Sequence, residues 1–149
     1  MKFLEDFPIG VRRELGSKLV AEDEIVRFAR EFDPQPFHVD AAAAKDSFYG
    51  GIIASGWHTC SMTMRIMVDG FLSGSASMGS PGIDELRWLK PVRPGDRLTV
   101  FSTVESVQLS KSKPDRGFLR TLTEVENQTG DVVLSMRGNS MIRKRPVDG

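Results

Sequence analysis

The sequence predicts an α+β fold in which one antiparallel β-sheet wraps around a long central helix. Two observations support this prediction. The most apolar stretch, residues 52–68, lies among helical patterns in the first half of the chain, whereas apolar and polar residues alternate from residue 83 onward. One buried helix and one antiparallel sheet have few compact arrangements. The chain has 149 residues, of which 40% are hydrophobic, so we expect a single domain over residues 1–149.

The first helix is predicted from the spacing of apolar residues after Glu22. Four of them would share one helix face: Ile25, Phe28, Ala29 and Phe32. The acidic residues 22–24 suit the positive end of the helix dipole. Pro34 ends the helix, because the residue before a proline avoids helical backbone angles.

A rigid loop and the long central helix come next. Asp40 is predicted to be the N-cap of a short helix over residues 41–45. The central helix is predicted over residues 52–68, and Gly70 is a stop signal after it. Its apolar residues point in nearly every direction. We therefore expect protein to surround this helix on all sides.

Strands are predicted in the second half of the chain, over residues 83–88, 98–105, 119–125 and 132–136. A further short strand is predicted near residues 18–20. Short turns join the long alternating segments, which indicates antiparallel pairing. Such a sheet has an exposed edge, so we expect the chain to associate with itself.

Composition excludes several classes of function. Lysine plus arginine equals aspartate plus glutamate, at 20 residues each, so we expect no binding to nucleic acid or to a membrane surface. The apolar stretch is interrupted by polar residues and falls short of the roughly 20 apolar residues of a membrane span. The single cysteine, and an amino terminus unlike a secretory signal, indicate a cytoplasmic protein. With two histidines and one cysteine, we expect no metal site.

The candidate catalytic residues follow the first helix. Asp33 and His38 are separated by a loop with two prolines, Pro34 and Pro36, which hold the carboxylate and the imidazole in fixed positions. A glycine-rich segment, residues 50–56, then leads into the central helix. An acid/base pair beside a helix start suits proton transfer next to a carbonyl group.

The order of these segments resembles the MaoC-like branch of the hotdog superfamily, whose known members include (R)-specific enoyl-CoA hydratases. The resemblance covers most of the chain, from residues 3–7 through residues 87–96 to the hairpin at residues 127–130. Its most specific part is the hydratase motif, which is matched by Asp33, Pro36, His38 and Asp40. It implies a single hotdog domain and a homodimer that joins its two sheets near the active site. It also implies an enzyme of fatty acid metabolism that takes an acyl-CoA thioester and needs no further cofactor.

The resemblance also implies residue roles. Asp33 and His38 would hold a water molecule and move protons, as in a hydro-lyase that adds water to an α,β-unsaturated acyl thioester or removes it. The backbone N–H of Gly56 would bind the thioester oxygen. Water addition generates enolate-like charge on that oxygen, which an N–H group at a helix start stabilises. Glycine there would permit close approach of the substrate.

Three further residues complete the predicted site. Gln35 stands where the family motif usually carries asparagine, and its amide would hydrogen-bond within the site. Ser55 stands where many relatives have histidine, and it would donate a hydrogen bond to the substrate. Asp40 would cap a helix or support the catalytic residues from behind. His58 is interpreted as a packed histidine.

Two alternative functions remain open. In a hotdog acyl-CoA thioesterase, the same polarised carbonyl would serve hydrolysis, with Asp33 directing water to the thioester carbon. In a non-catalytic module, the chain would bind an acyl thioester without turnover, and Gln35 is the departure that keeps this alternative open. The rigid Asp/His pair is more typical of hydratases, which favours the first interpretation.

Overall fold

The helices and strands cover most of residues 1–148, the part that the computed structural model describes; Gly149, the last residue of the predicted domain, lies outside it. The α-helices are α1 (Glu22–Phe32), α2 (Pro36–Val39), α3 (Ala41–Lys45) and α4 (Gly56–Met67). A 3₁₀ turn at Leu4–Asp6 precedes them, and a π-helical turn at Val68–Leu72 continues α4. The strands are β1 (Arg12–Leu19), β2 (Gly82–Trp88), β3 (Arg97–Leu109), β4 (Arg116–Glu126) and β5 (Val132–Arg143).

The strands within residues 1–148 form one five-stranded sheet in the order β1-β3-β4-β5-β2. Every neighbouring pair is antiparallel, and β1 and β2 are the two edges. This confirms the α+β architecture and the antiparallel pairing that the alternating segments predict. No helix in this part of the chain is long and apolar enough to cross a membrane.

The main core lies between the inner face of the sheet and α4. Alternate residues of β3 face inward, as the period of a strand requires. Leu98 and Val100 are buried in one cluster with Met62 and Ile66 of α4. Full burial of a side chain of this size contributes about 1.5–3 kcal/mol. These contacts fix the central helix across the sheet.

The strands extend beyond their predicted boundaries. β1 begins at Arg12, well before the short predicted strand, β3 continues to Leu109, and β5 continues to Arg143. A bulge between Val104 and Ser106 shifts the register of β3. The alternation of the sequence changes phase at a bulge, which is why the predicted strand ended there.

The central helix α4 begins at Gly56, and the predicted start at residue 52 is wrong. Residues 52–55 are not helical, and the Ile53 N–H group donates to the Phe37 carbonyl oxygen at 3.2 Å. The Ile53 carbonyl oxygen bonds to His38 Nδ1 rather than to a backbone N–H group one turn later, so no helical turn begins at this residue. The helix therefore starts later, next to the loop that carries the candidate catalytic residues.

One face of α4 is exposed in the single chain, which contradicts the expectation that protein surrounds it on all sides. Trp57 is 58% exposed and Met64 is 46% exposed. Ser61 and Val68 are also exposed, and the four positions are three or four residues apart. They therefore form one stripe along the helix. The opposite face of α4 is buried in the core.

A glycine allows the end of α4 to approach β1. A Cβ atom at Gly70, in the π-helical turn, would overlap the backbone carbonyl oxygen of Leu15. At the same place β1 has a bulge between Glu14 and Gly16. The close approach of the two backbones leaves no room for any side chain at position 70.

We predict that Gly70→Ala lowers the free energy of unfolding by about 1–3 kcal/mol, because the added methyl group must displace β1 or the turn. Gly74→Ala is the control, since a Cβ atom there meets nothing within 4 Å, and its effect should stay within about 0.5 kcal/mol. Urea denaturation measures both. A stabilised Gly70→Ala protein would mean that helix propensity outweighs the close contact, and would contradict this account.

Candidate active site

Asp33 and His38 are brought together at the end of α1. Asp33 is the C-cap of α1, and its N–H group donates to the Ala29 carbonyl oxygen at 2.8 Å. His38 lies in the short helix α2, which begins at Pro36 because proline suits the first position of a helix. His38 Nε2 lies 3.3 Å from Asp33 Oδ2. The two side chains that the sequence predicts as a pair are therefore in contact.

The imidazole of His38 is held by a backbone carbonyl group. Its Nδ1 lies 2.7 Å from the Ile53 carbonyl oxygen, in the extended segment before α4. A carbonyl oxygen only accepts hydrogen bonds, so Nδ1 carries the proton. The side chain is buried, and the ring of Phe37 packs edge-on against it at 4.5 Å. Nε2 is thereby the nitrogen that faces Asp33.

Both carboxylate oxygens of Asp33 accept hydrogen bonds. Ser55 Oγ donates to Oδ2 at 2.7 Å, and Gln35 Nε2 donates to Oδ1 at 2.7 Å. Burial alone raises the pKa of Asp33, but the bonds from Ser55 and Gln35 and the nearby His38 imidazole together outweigh it, so the pKa lies below the ordinary aspartate value. Asp33 is therefore ionised at neutral pH.

Ser55 and Gly56 form the start of α4. Ser55 is fully buried, and besides donating to Asp33 its Oγ accepts the Trp57 N–H group at 3.3 Å as an N-cap. Gly56 is the first residue of the helix, where N–H groups lack an intrahelical partner and the helix dipole is positive. Gly56 lines the cavity described below, whereas Ser55 lies behind its wall.

Trp88 of β2 covers Gly56. Its indole Nε1 donates to the Gly56 carbonyl oxygen at 3.0 Å, and a Cβ atom at Gly56 would overlap the indole ring. Trp57 packs edge-on against Trp88, with ring centroids 5.1 Å apart. Glycine at position 56 is thus required by the packing of Trp88. The sequence analysis did not select Trp88, because its contact with Gly56 joins segments distant in the chain.

A cavity of about 550 Å³ adjoins these groups. Asp33, Gln35, His38 and Gly56 contribute to its wall, together with apolar and aromatic side chains that include Trp88. This volume lies within the range of about 300–1,000 Å³ found for small-molecule sites. The residues of the cavity wall therefore include a carboxylate, an imidazole and the first residue of α4, Gly56.

Asp40 stands apart from this group. Its carboxylate accepts the N–H groups of Ala42 at 3.0 Å and Ala43 at 3.1 Å, so it is the N-cap of α3. It does not line the cavity. In residues 1–148, no group of three or more His, Cys, Asp or Glu side chains is placed to hold a metal ion.

A family model and a solved structure both relate this chain to MaoC-like proteins. Residues 8–127 match the family model described as "MaoC like domain". A crystal structure of the MaoC-like dehydratase from Rhodospirillum rubrum is 42% identical, covers 99% of this chain and 100% of its own, and superposes with a TM-score of 0.90. The uncharacterized protein YdeM of Bacillus subtilis is 34% identical over 125 residues, which are 84% of this chain and 87% of YdeM.

A more distant likeness concerns the fold alone. The R-hydratase PhaJ1 of Pseudomonas aeruginosa is 24% identical, and the match covers 99% of this chain and 92% of PhaJ1 with a TM-score of 0.76. The sheet and central helix of this chain therefore have the hotdog arrangement that the sequence resemblance implies.

We predict that Ser55→Ala raises the pKa of Asp33, because the hydrogen bond from Ser55 Oγ no longer opposes the effect of burial. Loss of the N-cap should also lower the free energy of unfolding by about 0.5–2 kcal/mol. Carbon-13 NMR titration of the aspartate carboxyl groups measures the pKa. Ser61→Ala is the matched control, since Ser61 lies on α4 but its hydroxyl donates to Trp57 O. An unchanged Asp33 titration in Ser55→Ala would refute the assigned role.

Proposed function

The chain belongs to the MaoC-like domain family, and on this basis we propose that it is a hydratase or dehydratase of α,β-unsaturated acyl-CoA thioesters. One observation carries the proposal: the Asp33 carboxylate and His38 Nε2 lie 3.3 Å apart at the wall of a cavity that also reaches Gly56. A cytoplasmic role in fatty acid metabolism, with no cofactor beyond the coenzyme A of the substrate, is part of the same proposal.

The Asp33–His38 pair supplies the proton transfers of the reaction. In hydration, one group removes a proton from water as the water oxygen bonds to the β-carbon. The pair then delivers this proton to the α-carbon, where the π electrons of the double bond form the new C–H bond. If one group takes the proton and the other delivers it, the proton passes between Asp33 Oδ2 and His38 Nε2 across their 3.3 Å contact, and both groups return to their starting state. Dehydration follows the same steps in reverse.

Gly56 stabilises the charge that develops on the thioester oxygen. Its N–H group lies at the positive end of α4 and has no partner inside the helix. One well-placed donor of this kind contributes about 3–4 kcal/mol to the transition state. Trp88 holds the first turn of α4 in place through its bond to the Gly56 carbonyl oxygen. The acyl oxygen and the reacting carbons would therefore be fixed by the same short stretch of chain.

Ser55 and Gln35 act on Asp33 in this proposal. Each donates to a different carboxylate oxygen, so together they fix the plane of the carboxylate and keep it ionised. Gln35 also lines the cavity, where its side chain would contact the acyl thioester. Ser55 is fully buried behind the cavity wall, which favours a positioning role over direct contact with substrate.

We further propose a homodimer that forms through the edge strand β2. In residues 1–148, β2 pairs on one side only, with β5. Apolar side chains along and beside it are exposed, including Ile83 at 55% and Leu89 at 51%. The exposed stripe of α4 that contains Trp57 continues this surface through its contact with Trp88. An unpaired edge with exposed apolar groups invites pairing with a second copy.

We predict that the protein hydrates crotonyl-CoA or a longer enoyl-CoA, and that Asp33→Asn and His38→Gln each reduce kcat/KM by about 10²–10⁴-fold, the usual contribution of a general acid or base. The assay follows loss of the ultraviolet absorbance of the conjugated thioester. Asp46→Asn is the matched control, because Asp46 is exposed at the end of α3 and does not line the cavity.

The same samples separate the alternatives. Release of free coenzyme A from saturated acyl-CoA, without hydration, would identify a thioesterase. Binding of acyl-CoA without turnover on short, medium and branched substrates would identify a non-catalytic module. Equal activity of Asp33→Asn and the unaltered protein would exclude the proposed mechanism.

We predict that Ile83→Lys converts the dimer to a monomer, since a charge on the edge strand blocks strand pairing. Sedimentation velocity at micromolar concentration measures the change. Leu109→Lys is the control: Leu109 is similarly exposed, at 59%, but lies at the end of the interior strand β3. A monomeric unaltered protein, or two variants that both remain dimeric, would exclude an interface at β2.

A further inference from the structure

His58 is a buried titratable group that the proposed reaction does not use. It lies in the first turn of α4, two residues after Gly56, and is 6% exposed. Within residues 1–148 its Nδ1 has no hydrogen-bond partner. It does not line the cavity. Buried polar atoms are normally paired, so an orphaned ring nitrogen at this position requires an explanation.

The imidazole of His58 supports α1. Its ring stacks on the ring of Phe28, with centroids 4.8 Å apart and an interplanar angle of 16°. Ile25 and Ala29 are the fully buried residues of α1. Because Asp33 caps the end of α1, the stack of His58 on Phe28 helps to set where the carboxylate lies.

The charged groups around His58 come from two elements. Glu24 and Arg27 act on it from α1, and Lys18 acts on it from β1. Lys18 Nζ lies 2.9 Å from a Glu24 carboxylate oxygen, so the negative charge of Glu24 is already paired. Burial lowers the pKa of His58, Glu24 opposes this, and Lys18 and Arg27 add to it; the net direction is downward. The packed form therefore holds a neutral ring.

We infer that His58 is a positioning residue for Asp33, and that its protonation releases α1 from α4. A neutral ring with its proton on Nε2 leaves only an unpaired lone pair at Nδ1 and brings no charge into the buried position. Protonation places an N–H group at Nδ1, where no acceptor is available, so the imidazolium is stable only in contact with water. Water reaches the ring when α1 moves away, and Asp33 then leaves Ser55 and His38.

The direction of the pH dependence follows from proton binding. A solvated histidine titrates near pH 6.5, and the packed form titrates lower. The released form therefore binds more protons, and the packed form is favoured above about pH 6.5. As the pH falls below that value, the ratio of released to packed molecules rises by at most about tenfold per pH unit. Release of α1 moves Asp33 away from the site and would therefore lower the rate of turnover. Only this effect on turnover rests on the proposed function.

The test measures the ring and the helix separately in the full-length protein. The chain has two histidines, so His58→Phe assigns their imidazole NMR signals. We expect His58 to titrate below pH 6.5. We also expect the hydrogen-exchange protection of α1, relative to that of β3, to fall severalfold, and by at most about tenfold, between pH 7.5 and 5.5. In His58→Phe, which keeps the aromatic stack but cannot bind a proton, the protection of α1 should not depend on pH.

Several results would overturn the inference. A His58 that titrates at or above pH 6.5, or an α1 whose protection is constant in the unaltered protein, would do so, as would an unchanged pH response in His58→Phe. If that variant does not fold, Phe28→Leu replaces it: the weaker stack should move α1 release to a higher pH, and no movement refutes the proposal. Release of α1 without hydratase activity would leave this inference standing and count against the proposed function alone.

Discussion

The hydrogen bond from Ser55 Oγ to Asp33 Oδ2 joins the end of α1 to the start of α4. It is short, at 2.7 Å, and its acceptor is ionised, which makes it stronger than a bond between neutral groups. The same hydroxyl oxygen caps α4, so one side chain sets the carboxylate and the first turn of the central helix relative to each other. The cavity, the orientation of Gly56 and the contact between Asp33 and His38 all depend on this connection.

The sequence predicts those elements of the fold that have one buried face and one solvent-exposed face. The inner half of β3 shows a regular alternation because its inward-facing residues are buried: Leu98 and Val100 pack in the cluster that includes α4, and Val104 packs in a second cluster at the end of the sheet. The prediction fails where a bulge interrupts the period, after Val104, and along β5 beyond Met136, where outer-face residues form ion pairs, such as Arg137 with Glu105 at 2.9 Å. Strand residues that form ion pairs do not alternate between apolar and polar side chains, so the sequence pattern does not reveal the strand.

The site divides in the same way. Asp33, Gln35 and His38 are close in the chain, and a proline-containing loop keeps their spacing fixed, so a local motif could predict them as a group. The sequence also places Ser55 in the site, as a donor to substrate, but it does not predict the bond from Ser55 to Asp33 across 22 positions. Nor does it predict the bond from Trp88 to Gly56 across 32 positions. Contacts of that range are created by the packing of the sheet, α1 and α4, and they leave no pattern in either local sequence.

Four successive residues at the start of α4, residues 55–58, each contact a different part of the structure. An α-helix turns about 100° per residue, so neighbours along it face different surroundings. Ser55 faces Asp33, Gly56 faces the cavity and Trp88, Trp57 faces the exposed surface, and His58 faces Phe28. Because backbone geometry ties these directions together, a small rotation of α4 would alter all four contacts at once. Three contacts hold the start of the helix: the N-cap at Ser55, the bond from the Trp88 indole to Gly56, and the stack of His58 on Phe28. Because the four directions are coupled, each of these contacts helps to keep the other groups in place.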